Sequence, residues 1–192
     1  MPTQSKSVPA RTAAELSEMA ELGDEAKALL APEVMPRAFI ALLQEHELYP
    51  DAVRVLAHAL PRREAIWWAW VCARRTAGDA PPLAVQGALD ATERWITQPT
   101  DEYRRAAMEA AEQAGFASPA GCAALAVFLS GGSLAPANVD PVPPGEHVAA
   151  KAITGAIVAA AVSSEPEQAP QKFKAFIAQG LDVAERVKLW PA

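Results

Sequence analysis

Pro61 to Ala77 read PRREAIWWAWVCARRTA. Three of the chain's five tryptophans, Trp67, Trp68 and Trp70, fall within four positions of this stretch. From Ala65 to Ala73 the thiol of Cys72 is the one polar side chain. At about 3.6 residues per turn, such a run covers every side of a helix. A helix that is apolar all round is buried against several neighbours. The stretch therefore predicts the central helix of a helical domain, closed at its ends by two arginine pairs, Arg62 with Arg63 and Arg74 with Arg75.

Working outward, punctuation residues divide the rest into further helices. Thr12 followed by Glu15 forms a capping box that starts a short helix through Leu16 and Met19. Gly23 stops it, and Asp24 caps a helix to about Ala31. Pro36 opens a helix striped by Phe39, Ile40, Leu42 and Leu43, and Pro50-Asp51 opens another with Val53, Val55, Leu56 and Leu60 inward. Beyond the tryptophans, helices are expected from about Pro82 to Thr97, Asp101 to Ala114 (capped by Thr100, ended by Gly115), Ser118 to Ser130, Glu146 to Val162 and Gln171 to Leu189. Gly180 is expected to weaken or kink the last. Alternating β-branched runs are absent, so no strand is predicted. The fold class is all-α: one irregular bundle of about eight or nine helices over residues 11–190, with residues 1–10 a flexible N-terminus.

Bulk composition bounds the function. Hydrophobic residues make up 51% of the 192, enough for one real core. A net charge of −6 argues against general nucleic-acid binding, which needs a concentrated basic face. The first twelve residues hold no apolar run resembling a secretory signal. Val148 to Val162 is the most membrane-like segment, but it is shorter than the ~20 residues a span needs and contains Lys151. No membrane insertion and a cytoplasmic location are expected. Cys72 and Cys122 read as reduced, buried thiols.

The search for chemistry returns little. No Glu-x-x-His pair, H-E-x-x-H or C-x-x-C is present, so no metal site and no cofactor is expected. GGSLA around Ser133 lacks the second glycine of a nucleophile elbow. Cys72 lies near Arg74 and Arg75, which would activate a thiol in water, yet its helix is the most apolar of all. The two surface candidates are the tryptophan helix and the stretch GGSLAPANVDPVPPG, Gly131 to Gly145. The three indoles read as mainly core; Trp67 and Trp70 share one helix face and Trp68 lies about 100° away, and if one faces outward it is expected to be Trp68. A structureless loop as long as 131–145 is uncommon in a compact domain and is often a binding element. Its prolines favour an extended backbone that a groove can grip.

Five pieces together, EAIWWAWVCAR (Glu64 to Arg74), ERW (Glu93 to Trp95), RRAAMEAAEQAG (Arg104 to Gly115), GGSLAP (Gly131 to Pro136) and FIAQGLDVAERV (Phe176 to Val187), resemble a family of uncharacterised all-helical bacterial proteins. That family is a domain of unknown function found near type VI secretion components, beside spike and adaptor genes, and the similarity spans about Asp51 to Val187. None of its motifs has an assigned chemical role. The resemblance implies a cytoplasmic accessory role in a secretion apparatus.

The expectation is then a non-enzymatic adaptor or chaperone-like protein that binds another protein through Leu134, Val139 and Val142 of the loop, Arg74 and Arg75, and Trp68. The alternative is a small-ligand binder or enzyme with a site between helices near Trp67 and Trp70. A homodimer through the small-residue face of Val148 to Val162 is a third possibility.

Overall fold

The computed structural model describes residues 11–136 and 138–190. The expected fraying of residues 1–10 lies outside them. Ten α-helices and one 3-10 turn follow one another: α1 (Ala13–Met19), α2 (Asp24–Ala28), α3 (Pro36–Glu45), α4 (Tyr49–Ala59), α5 (Arg62–Thr76), α6 (Leu83–Thr97), α7 (Asp101–Ala114), α8 (Pro119–Phe128), α9 (Val148–Val162), the turn Pro166–Gln168 and α10 (Ala169–Arg186). Among the described residues there is no strand. The count exceeds the eight or nine expected, although each of the ten falls on a segment marked out in the sequence; the two opening helices are short, of seven and five residues.

Local chemistry sets most of the boundaries. The Thr12–Glu15 capping box forms in full. Thr100 and Ser118 each accept an amide hydrogen bond in the first turn of α7 and α8, from Tyr103 and Gly121. Proline stands in the first turn of α3, α4 and α8, where its missing N–H costs least. One expected stop moves. Glu21, at φ 51°, makes the left-handed turn after α1, and Gly23 is the uncapped residue ahead of α2.

The tryptophan helix α5 packs against α6, α8, α9 and α10, as an interior helix should. It does not hold the centre alone. α8 and α9 form the most extensive pair, and α9 also touches α4 and α10. One flank of α5, carrying Trp67, Trp70 and Val71, is only half-buried. Trp68 is the reverse of the outward residue expected: it is 0% exposed, the largest fully buried side chain, and its indole Nε1 donates to the Phe176 carbonyl at 2.7 Å. Position on the helical wheel could not decide this, because the neighbour that covers Trp68 is α10, 108 residues away.

Gly180 explains how α10 comes so close. A Cβ built there would stand 2.5 Å from Leu56 Cδ2 and 2.7 Å from Trp68 Cε2. The glycine is a groove for the indole, and α10 runs unbroken through it. The small-residue face of α9 is partly covered within the chain: Gly155 faces Cys122 Sγ of α8, and Ala149 and Ala156 are buried, while Ala152, Gly155 and Ala159 are half-buried. No single helix among the described residues is long and apolar enough to cross a membrane. α9 and the following segment pass by length and composition only as a pair bent by 116°.

Candidate interaction surface

The described residues of the stretch 131–145, all but 137, join α8 to α9 without regular secondary structure. It is nevertheless fastened to the body, and arginines do the fastening. Arg104 on α7 is 4% exposed. Its Nη1 donates to the Phe128 carbonyl at 2.8 Å and its Nη2 to the Ser133 carbonyl at 2.9 Å. Its Nε donates to Asp101 Oδ1 at 2.8 Å, and the guanidinium lies 5.0 Å from the centre of the Phe128 ring. A buried guanidinium is costly unless its fork of donors is used; here every nitrogen of the fork has a partner.

Two more arginines continue the grip. Arg105 reaches the Ala135 carbonyl at 3.0 Å and Asp101 Oδ2 at 2.8 Å, and Arg62 at the start of α5 donates to the Ser130 carbonyl. Hydrogen bonds from Arg105 and then Arg104 hold the Asp101 carboxyl below the usual carboxylate range. Gly132 sits where these groups converge, at φ 65°. A Cβ there would meet Arg104 Nε at 2.9 Å and Asp101 Oδ1 at 3.0 Å, so both the backbone angle and the space call for glycine.

The loop then closes on itself. The Leu134 amide donates to the Val142 carbonyl at 2.8 Å. Ser133 Oγ accepts from the amides of Ala135 at 3.1 Å and Val142 at 3.0 Å. Ser133, weighed as a nucleophile from its GGSLA setting, is thus an organiser of the turn. Val142 belongs to this tie through its amide and carbonyl, and Val139 lies between it and Leu134 in the chain; their side chains are 53% and 52% exposed, and Val142 stands between Pro141 and Pro143. Leu134 is half-buried. Scattered exposed apolar residues such as Leu83 and Phe116 are ordinary; Val139 and Val142 differ in standing on one anchored loop. A second apolar depression lies between α3 and α10, lined by Met35, Ala38, Ala41 and Trp190 and crossed by the Arg37–Glu185 ion pair at 2.6 Å.

The expected site residues therefore separate. Val139 and Val142 are presented, and Leu134 supports them. Trp68 is withdrawn into the core. Arg74 and Arg75 are exposed, but they sit at the far end of α5 from Arg62, about 18 Å along the axis at 1.5 Å per residue. Arg74 Nη1 bonds the Gly78 carbonyl at 3.4 Å, serving its own helix end. The Trp70 indole N–H is spent on the Leu89 carbonyl at 2.9 Å, and Trp67 and Trp70 are half-buried. The main concavities lie elsewhere.

Arg62, Arg104 and Arg105 escaped the reading of the sequence. One signal was there: Arg104 shares the α7 stripe with buried Ala107 and Ala111, at spacings of three and seven, so it had to point inward. Both cysteines are free and buried. Burial pushes both thiols up, and Cys122 Sγ bonds the Phe116 carbonyl at 2.8 Å. Among the described residues no group of three His, Cys, Asp or Glu side chains gathers closely enough for a metal ion.

Fold and site together define an all-helical bundle with the Trp68 indole in its interior and an α8–α9 loop anchored by arginines. The chain belongs to a family of unknown function (DUF6931), whose model matches residues 39–184. The match starts inside α3 and ends inside α10, so it includes α5, α7 and the anchored loop and leaves out α1 and α2. Comparison with curated proteins and with solved structures found no match.

Proposed function

We propose that this chain is a non-enzymatic protein-recognition module, an adaptor or chaperone-like accessory, whose contact element is the loop 131–145. The observation that carries the reading is the contrast within that loop. Its start is fixed by a buried arginine, and further along it two valines are more than half exposed. A loop fixed before binding loses less conformational freedom on association, which strengthens binding without adding contacts. Proline-flanked apolar residues on an extended backbone suit an apolar groove on another protein. The resemblance to bacterial proteins near type VI secretion components makes a cytoplasmic component or effector of such a system the first partner to test.

A photo-crosslinking residue placed at Val142 in the native host tests this, with Glu109 on the exposed side of α7 and Met35 in the α3–α10 depression as comparison positions. The reading expects one discrete adduct from position 142, lost when V139D is added to the crosslinking variant. An adduct from Met35 and none from Val142 would move the contact away from the loop and overturn it.

A further inference from the structure

We propose that the cleft where the starts of α5 and α9 meet is a binding site for a small oxyanion of the phosphate type. The cleft has a volume of about 380 Å³, the size of a small-ligand pocket, and opens to solvent. Its wall includes Arg11, Arg62, His58, His147 and Glu146. α5 and α9 are 15 residues each, and neither has a side chain capping its first turn. Pro61 and Arg62 at the start of α5 and His147 at the start of α9 line the cleft, so the positive ends of both dipoles border it, an arrangement that favours an anion. Two guanidinium groups border it. Arg11 uses Nη1 on the His58 carbonyl and Arg62 uses Nη1 on the Ser130 carbonyl, which leaves further N–H donors on each fork.

His58 supplies the independent sign of a missing partner. It is 5% exposed, its Nδ1 is taken by the Arg54 carbonyl at 2.8 Å, and its Nε2 is buried with no partner among the described residues. His58 belongs to the wall of the neighbouring depression, with Arg54, and to the wall of this cleft. There His147 lies against it, the ring centres 5.5 Å apart. A buried ring nitrogen without a partner costs free energy that a ligand hydroxyl, or a proton shared with an anion, would recover. Glu146 is the one carboxylate on this wall and opposes the anion, which sets the affinity in a modest range.

The full chain is titrated with inorganic phosphate at constant ionic strength, and the imidazole signals are followed by NMR. The proposal expects saturable shifts of His58 and His147 and none of His46, which is exposed on α3's C-terminal end. R11Q and R62Q should each weaken phosphate about tenfold, the effect of one charge-assisted hydrogen bond. R74Q, at the far end of α5, should leave it unchanged. E146Q should bind phosphate more tightly, a gain that a folding defect cannot imitate. Shifts that rise linearly with phosphate, or an affinity unmoved by R11Q and E146Q, would overturn the site.

Discussion

Replacing Gly180 by alanine tests the core through a change of sign. In the middle of an exposed helix, glycine to alanine stabilises by about 0.5–1 kcal/mol. At Gly180 the added methyl would stand 2.5 Å from Leu56 Cδ2 and 2.7 and 2.9 Å from Trp68 Cε2 and Cζ2. The leucine methyl can turn away. The indole cannot, because its Nε1 is bonded to the Phe176 carbonyl one turn earlier on the same helix. Overpacking of this kind costs about 1–3 kcal/mol, so the net expectation is a loss of about 1–2 kcal/mol. For a chain of this size that lowers Tm by roughly 2–8 °C. Urea and thermal unfolding followed by circular dichroism would measure it. W68F, which removes the indole's second ring, should relieve the clash, so G180A costs less in that background than in the wild type. A G180A protein more stable than wild type would refute the close approach of α10 to Trp68.

Three further outcomes follow from the same geometry. V139D should shift stability by no more than about 0.5 kcal/mol, as surface changes do, while removing the adduct crosslinked at position 142; a large drop in Tm would mean that this valine is structural. Neither thiol should react with a disulfide reagent in the native chain, and both should react in guanidinium, because burial holds them protonated; rapid native labelling of Cys72 would contradict its place in the core. Burial first, then the nearby charges of His147, Arg11 and Lys151, lower the pKa of His58, against a raising hydrogen bond to the Arg54 carbonyl. The unfolded chain therefore takes up this proton first, and stability should fall as pH drops below about 6.5. The lowered carboxyls of Glu15, Glu21 and Asp101 add their loss only at lower pH. H58Q should flatten the fall between about pH 6.5 and 5, and an unchanged slope would place its origin elsewhere.

The architecture was legible because it rests on local rules. Thr12, Thr100, Ser118 and the prolines at helix starts act within one turn, and each did what its position implies. The face of a tryptophan is not a local property. Which of Trp67, Trp68 and Trp70 is covered depends on where α10 comes to lie, and Gly180, expected to weaken or kink that helix, instead admits it. The anchored loop was legible in its length and prolines, and Val139 and Val142 in their setting. Its anchors were not, because Arg104 and Arg62 reach the loop across 29 and 68 residues. Their contacts are with backbone carbonyls, which leave no trace in the identity of the residues contacted.

Amide hydrogen exchange resolved residue by residue in the loop tests the claim on which the functional reading stands, that Arg104 orders 131–145 in the free chain. The amides of Leu134, Ala135 and Val142, all bonded within the loop, should be protected in the wild type. In R104M they should exchange near free-peptide rates while amides in α8 and α9 stay protected. Free-peptide exchange of those three amides in the wild type, or protection unchanged in R104M, would contradict it.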